Sequence, residues 1–329
     1  MSLGSNRMEF EVIEGWEQLP EGWSFVEVAG VATDSQDRVY AFNRGEHPMI
    51  VFDRDGRFVD AWGEGVFSNA HGIAIGPDDR IYCADNGDHT VRVFEPDGTL
   101  VRTLGTPGQT SDTGFTAFTE PVVRSAGPFN MVTNSSVAPN GDLYVSDGYG
   151  NARVHVFSPE GELRFSWGEP GTDPGQFRLP HGVVVDRDGR VYVADRENSR
   201  VQVFTSSGEL ITIFADLHRP DDVFIDADDV LYVAELGWRA GVMPPVMRGE
   251  IPAHEPHARV TLLDLDGELI TRFGGDEPCA PGNFFAPHGI WADSTGDLYV
   301  AEVIASAGGR SGLVPMDCHA LQKFARVRG

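Results

Sequence analysis

The stretch that decides the fold is LPHGVVVDRDGRVYVADRENSRVQVF (179–204). It contains an apolar run, an Asp/Gly turn, a second apolar run around a tyrosine, and a third run after another turn. Short segments of alternating apolar and polar residues, separated by turn residues, predict antiparallel strands joined by hairpins. A chain made of copies of this unit would be an all-β protein.

The unit recurs along the chain. Its first hairpin occurs six times, as GVATDSQDRVYAF (30–42), GIAIGPDDRIYCAD (72–85), SSVAPNGDLYVSD (135–147), GVVVDRDGRVYVAD (182–195), DVFIDADDVLYVAE (222–235) and GIWADSTGDLYVAE (289–302). A second strand pair follows most copies, as in VFSPEGELR (156–164). Six units of about four strands predict a six-bladed β-propeller around a central channel. Two β-sandwiches are the alternative, but they do not explain six equivalent units.

The propeller is predicted as a single domain over residues 8–329, with residues 1–7 disordered or derived from cloning. The segment ALQKFARV (320–327) offers one more strand for the sixth unit. MEFEVIEG (8–15) is expected to pair with it and close the ring, which would remove the exposed sheet edges.

Composition narrows the partners and the location. The formal net charge is −25, which would repel nucleic acid and anionic membranes. No apolar run is long enough to cross a bilayer. The three cysteines, Cys83, Cys279 and Cys318, lie far apart and suggest neither a disulfide framework nor a metal pair. We therefore expect a cytoplasmic monomer, with a removed native signal peptide as the alternative.

The tyrosine of the first hairpin gives a reference position in every unit: Tyr40, Tyr82, Tyr144, Tyr192, Tyr232 and Tyr299. Eleven residues before it stand, in order, Ala29, His71, Thr133, His181, Asp221 and His288. Histidine thus occupies one equivalent position on blades 2, 4 and 6, about 120° apart around the channel.

Three imidazoles with an open position are the ligand set of a catalytic zinc ion. A single histidine at a strand end is more often a packing or hydrogen-bonding residue, but the alternation favours a metal site at His71, His181 and His288. Zinc is favoured over iron or copper because no carboxylate or thiolate accompanies the set, although imidazole suits those metals too.

Counting forward from the reference tyrosine finds Arg44 on blade 1 and Arg196 on blade 4, and then Tyr149 on blade 3. Two guanidinium groups near a metal can hold a carboxylate and stabilise developing negative charge. Nearby positive charge would also favour the phenolate form of a tyrosine, which can act as a base. The alternatives are surface ion pairs for the arginines and a solvated rim position for the tyrosine.

The chain resembles the NHL-repeat propellers and, among them, the peptidyl-α-hydroxyglycine α-amidating lyases. The resemblance is densest over SDGYGNARVHVFSPEGELRFSWGEPGTDPGQFRLPHG (146–182) and ADRENSRVQVF (194–204). It implies that the histidines of AHGI, LPHG and APHG hold a catalytic zinc. It also implies that Arg44 of NRGEH binds the substrate carboxylate and that Tyr149 and Arg196 belong to the active site.

The chain departs from that family at two kinds of position. The family binds a structural calcium through an aspartate after the third zinc histidine and through two backbone carbonyls. Gly289 stands at the aspartate position, while Val31 and Ile73 match the carbonyl donors, so the calcium ion is not expected here. The disulfide cysteines of animal members are also replaced, which fits the cytoplasmic expectation.

The resemblance implies a zinc-dependent carbon–nitrogen lyase that cleaves an N-substituted α-hydroxyglycine into an amide and glyoxylate, acting on a small molecule or a peptide C-terminus. One alternative is a metal-dependent lyase for a small carboxylated substrate, such as a ureidoglycolate-like compound or another hydroxy acid. It is favoured by insertions at 106–132, 237–258 and 303–317, of which the last two would lie on the arginine rim and roof the site. A non-catalytic propeller that binds protein partners is the third possibility.

Overall fold

The computed structural model describes residues 2–5, 8–118, 120–238 and 257–328. Its strands form six antiparallel sheets, the blades of a propeller. Blades 1 to 3 contain β3 (Val28–Thr33), β4 (Val39–Asn43), β5 (Met49–Phe52), β6 (Phe58–Trp62); β7 (Ala70–Ile75), β8 (Ile81–Asp85), β9 (Thr90–Phe94), β10 (Leu100–Leu104); and β11 (Val132–Val137), β12 (Leu143–Asp147), β13 (Arg153–Phe157), β14 (Leu163–Trp167).

Blades 4 to 6 contain β15 (Pro180–Val185), β16 (Val191–Asp195), β17 (Arg200–Phe204), β18 (Leu210–Phe214); β19 (Pro220–Ile225), β20 (Val230–Glu235), β21 (Arg259–Asp264), β22 (Leu269–Phe273); and β23 (Pro287–Ala292), β24 (Leu298–Glu302), β25 (Leu321–Val327), with β2 (Met8–Ile13) and β1 (Ser2–Ser5) at its edge. Two short helical turns, Arg196–Asn198 and Ala305–Gly309, follow β16 and β24. The all-β six-bladed prediction is confirmed.

The first strand of each blade lines the central channel. Strand β3 packs between β23 and β7, and the same neighbour relation continues through β11, β15 and β19. The residues eleven before the reference tyrosines lie on or beside these inner strands. A pattern read along the sequence therefore becomes a ring of equivalent positions in space.

In four of the six blades, the reference tyrosine donates a hydrogen bond to an aspartate in the turn of its own blade. Tyr40 and Tyr299 are fully buried, and each directs its hydroxyl at the carboxylate of the turn between the first two strands of its blade. The Tyr40 hydroxyl donates to Asp34 at 3.2 Å, and the Tyr299 hydroxyl donates to Asp293 at the same distance. A buried phenol needs such a partner, which explains why tyrosine recurs at this place.

The chain ends close the ring as predicted. Strand β2 pairs antiparallel with β25, with Glu11 opposite Ala325 in the register. The expectation of a disordered segment at residues 1–7 is wrong for Ser2–Ser5, because that stretch forms β1 and pairs with β2. A free strand edge offers unpaired amide and carbonyl groups, and β1 satisfies those of β2.

The prediction that the cysteines form no disulfide is also wrong. Cys279 and Cys318 are bonded, with their Cα atoms 5.2 Å apart, and Cys83 is a free buried thiol. The two residues are separated by 39 positions, but the return of the chain to blade 6 brings them together. The cytoplasmic expectation rested in part on the lack of a disulfide framework, and the bond between Cys279 and Cys318 removes that support. Within the described ranges, no helix is long and apolar enough to span a membrane.

Candidate metal centre

The three predicted histidines meet on the channel axis. His71, His181 and His288 lie at the starts of the inner strands β7, β15 and β23, and all three are buried. Their ring centroids are 4.6 to 4.8 Å apart, close to an equilateral triangle. The ligand nitrogens of the three rings all lie within 4.8 Å of one another. Side chains two blades apart thus converge on one point.

The intervening blades orient these rings. Nδ1 of His71 lies 2.7 Å from the Thr133 carbonyl, Nδ1 of His181 lies 2.8 Å from the Asp221 carbonyl, and Nδ1 of His288 lies 2.6 Å from the Ala29 carbonyl. A carbonyl oxygen can only accept, so each Nδ1 carries the proton and donates it. Each neutral ring therefore presents an Nε2 lone pair, the form in which imidazole binds a metal.

Burial keeps these imidazoles neutral. It lowers the pKa of His71 and His181 well below the ordinary value, and it lowers the pKa of His288 to about 3. The guanidinium of Arg196 lowers all three pKa values further, and that of Arg44 lowers those of His71 and His288. Three converging, unprotonated nitrogen donors fit a divalent ion such as Zn²⁺.

Tyr149 and Arg196 form the second part of the site. The Tyr149 hydroxyl lies 3.4 Å from His71 Nε2 and 3.3 Å from His181 Nε2. Arg196 donates from Nη1 to this hydroxyl at 3.2 Å, and its guanidinium lies 5.2 Å from the centre of the tyrosine ring. The structure thus brings both predicted side chains to the histidine triangle.

Arg44 is held on the opposite side by blade 1. Its Nε donates to the Ala70 carbonyl at 2.7 Å, next to His71 in the sequence, and its Nη1 pairs with Glu27 at 3.1 Å. Glu27 is buried and also accepts from the Ser306 amide at 2.6 Å. The insertion at 303–317 therefore supports the arginine from the rim. The arginines form ion pairs, but with buried carboxylates and not at the surface: Arg44 pairs with Glu27, and Arg196 pairs with Glu197 and Asp221.

Asp221 is a site residue whose role the sequence pattern did not reveal. Its carboxylate is fully buried, with Oδ1 accepting from Arg196 Nη1 at 2.9 Å and lying 3.2 Å from His181 Nδ1. Oδ2 lies 3.8 Å from His288 Nε2. Burial raises the pKa of Asp221 to about 6. The sequence did contain a sign of this position, since Asp221 stands at the same repeat position as the histidines. The expectation that no carboxylate accompanies the imidazoles is therefore wrong.

The residues below the histidines do not fit the calcium of the resembling family. A Cβ atom at Gly289 would lie 2.8 Å from the Gly30 Cα, so no side chain fits there. The buried carboxylate of Asp222 accepts from the Ile290 amide at 3.1 Å and from the Asn134 side chain at 2.7 Å. Three blades are thereby joined by hydrogen bonds at this level of the channel.

The insertion at 106–132 reaches the site from the side. Phe118 contacts Tyr149 edge-on, with ring centroids 5.7 Å apart. A cavity of about 240 Å³ lies beside Tyr149, between the insertion and blades 3 and 4. Its wall includes Phe115, Val122 and Phe177. The segments 237–258 and 303–317 were predicted to roof the site. Segment 303–317 packs on the rim, whereas most of 237–258 lies outside the described residues.

Comparisons with known proteins agree with the fold and the resemblance. A family profile described as NHL repeat matches residues 67–94 and 177–204. The chain is 32% identical over 217 residues to NHL repeat-containing protein 3 of Homo sapiens, covering 62% of this chain and 59% of that protein. It is 30% identical over 198 residues to peptidyl-alpha-hydroxyglycine alpha-amidating lyase 1 of Drosophila melanogaster, covering 54% of this chain and 34% of that protein.

A solved streptogramin B lyase structure is similar in fold, with a TM-score of 0.60 over 97% of this chain and 98% of that one, at 12% identity. That likeness concerns the fold alone. The chain spans less than two thirds of the length of the curated relatives it matches first. It is thus a six-bladed β-propeller with NHL repeats, similar in sequence to proteins named as amidating lyases and to NHL repeat-containing protein 3.

Proposed function

We propose that the protein is a zinc-dependent lyase that cleaves the carbon–nitrogen bond of an N-substituted α-hydroxyglycine, giving an amide and glyoxylate. The observation that carries this proposal is the convergence of three histidines, two of which place Nε2 within 3.4 Å of the Tyr149 hydroxyl, which itself contacts Arg196. The sequence similarity to a protein named as an amidating lyase supports it. A zinc ion held by the histidines would act as a Lewis acid towards the substrate oxygens.

The remaining chemistry belongs to the side chains. Arg44, held by Glu27 and the Ala70 carbonyl, would bind the substrate carboxylate. The Tyr149 oxygen takes the proton of the substrate hydroxyl, and Arg196 stabilises the negative charge that develops. The carbon–oxygen bond then becomes the aldehyde of glyoxylate while the carbon–nitrogen bond breaks. The nitrogen keeps the bonding electrons and receives the proton from Tyr149, which completes the amide.

The cavity beside Tyr149 suits the other end of such a substrate. Aromatic and aliphatic side chains such as Phe115, Val122 and Phe177 form part of its wall. An acyl group of moderate size would bury apolar surface there, which favours binding without affecting the reacting atoms. N-acyl α-hydroxyglycines with an apolar acyl group are therefore the first substrates to test.

A second candidate keeps the metal and changes the substrate to a small carboxylated carbinolamide of the ureidoglycolate type. The contact of Phe118 with Tyr149 favours it, because the insertion narrows the approach to the hydroxyl. Relative rates on a small and a large N-acyl substrate separate the two candidates. A non-catalytic propeller is the third candidate, and it is supported by the similarity to NHL repeat-containing protein 3.

The test begins with the metal content of the purified protein. We expect one zinc ion per chain, loss of that zinc in His181→Ala, and full retention in His47→Ala, a histidine that stacks on Trp23 and lies outside the group of three. Glyoxylate release from α-hydroxyhippurate is then measured with both variants. Wild-type protein that binds no stoichiometric zinc would refute the metal-dependent lyase. Zinc-loaded protein inert on α-hydroxyhippurate but active on a ureidoglycolate-like compound would establish the second candidate.

A further inference from the structure

The side chain of Asp221 is placed as a metal ligand would be. It is fully buried, and Oδ2 accepts no hydrogen bond from the residues that the structure describes. An ionised carboxylate oxygen without a partner is costly to bury, so such an oxygen needs a proton or a cation. Oδ2 lies 3.8 Å from His288 Nε2, and that nitrogen points away from the Ala29 carbonyl, which Nδ1 of the same ring contacts.

Oδ1 of the same carboxylate is already engaged. It accepts from Arg196 Nη1 at 2.9 Å, and that guanidinium group also contacts Glu197 and Tyr149. These contacts fix the plane of the carboxylate and direct Oδ2 to the side of the triangle at His288. On blade 5, Asp221 occupies the repeat position that the three histidines occupy on their own blades. The ring thus supplies a fourth protein group at the same height.

We propose that Asp221 is a fourth protein ligand of the metal centre, bound through Oδ2 beside the three imidazoles, so that a substrate oxygen would be the fifth ligand. The inference rests on the proposed metal site and extends it. One negative charge would partly neutralise a divalent ion that three neutral imidazoles leave fully charged. An oxygen donor would also make the site more accommodating to iron(II) and manganese(II) than three imidazoles alone.

A competing explanation assigns Asp221 to Arg196, as its counter-ion, and to His181, whose Nδ1 lies 3.2 Å from the same oxygen. Glu197 offers a matched control, because its Oε1 accepts from Arg196 Nε at 2.9 Å and its other described partner is Arg219. Asp221→Asn removes the carboxylate charge while keeping the shape and an oxygen for Arg196. Glu197→Gln makes the same change on the other side of the guanidinium, away from the histidines.

The experiment measures zinc affinity by competition with a chelator and the visible spectrum of the cobalt(II)-substituted protein. We expect Asp221→Asn to weaken zinc binding at least ~10-fold and to alter the cobalt spectrum, whereas Glu197→Gln keeps both. Equal losses in the two variants, or wild-type affinity in Asp221→Asn, would overturn the ligand assignment. Absence of zinc from the wild-type protein would instead refute the metal site itself.

If Asp221→Asn does not fold, a crystal structure of the zinc-loaded wild-type protein would show whether Asp221 is a ligand of the metal. An Asp221 oxygen about 2.0–2.2 Å from the ion is the expected result. A carboxylate oxygen beyond bonding distance, with zinc present on the three histidines, would leave the proposed function standing and reject this extension of it.

Discussion

Replacing Gly289 by alanine would press the inner strand of blade 6 against that of blade 1. The new Cβ atom would meet the Gly30 Cα at 2.8 Å and the Val31 amide nitrogen at 3.1 Å, both of them backbone atoms that cannot rotate away. The strands must separate by about 0.6 Å to restore ordinary contact. Overpacking of this kind costs ~1–3 kcal/mol, and the lower entropy of the unfolded alanine chain offsets up to ~1 kcal/mol.

We therefore expect Gly289→Ala to lower the free energy of unfolding by about 1–2 kcal/mol, measured by urea titration. The matched control is Gly127→Ala, because nothing lies within 4 Å of a Cβ there. The shift should also loosen the bond of His288 to the Ala29 carbonyl and speed zinc release to a chelator. An unfolding free energy equal to that of the control would show that the close approach of the two strands is not as described.

Three further outcomes follow from the same structure. Tyr149→Phe should retain zinc but lose ~10²–10⁴-fold in kcat on α-hydroxyhippurate, and a rate within tenfold of wild type would exclude Tyr149 as the base. Metal-free protein should lose stability as the pH falls from 6.5 towards 3, by up to about 1.4 kcal/mol per pH unit from His288. The reason is that the folded pKa of about 3 lies below the unfolded value, so the unfolded chain takes up the proton. Urea titrations at pH 7 and pH 5 check this, and His288→Gln should show a smaller loss. Reducing the Cys279–Cys318 disulfide should lower the unfolding free energy by ~2–4 kcal/mol in wild type and leave Cys279→Ser unchanged, while a wild-type midpoint insensitive to reductant would contradict the bond.

Repetition made most of this architecture readable from the sequence. A histidine repeated on alternate blades predicted a meeting point on the axis, and His71, His181 and His288 meet there. The pairing of the two chain ends was readable for the same reason, because the sixth unit lacked a strand that residues 8–15 could supply. Periodicity fixes such features because equivalent sequence positions occupy equivalent places in a closed ring.

Features that depend on single atoms were not readable in this way. The carbonyl groups that orient the histidines belong to Ala29, Thr133 and Asp221, and a backbone acceptor leaves no side-chain signal in the sequence. The role of the Asp221 carboxylate depends on which way its oxygens point, which Arg196 decides. The disulfide was missed because Cys279 and Cys318 become neighbours only when blade 6 is assembled.

The hydrogen bonds that orient the three imidazoles also restrict the number of blades. Every histidine-bearing blade is followed by one that supplies a carbonyl acceptor, and the last pair joins His288 to Ala29 across the closure. Histidine blades and acceptor blades can alternate all the way round only if the ring has an even number of blades. A copy of this propeller lengthened or shortened by one unit would place two like positions side by side and break the threefold arrangement. Gain or loss of two units would restore the alternation, but with four histidines or two in place of three.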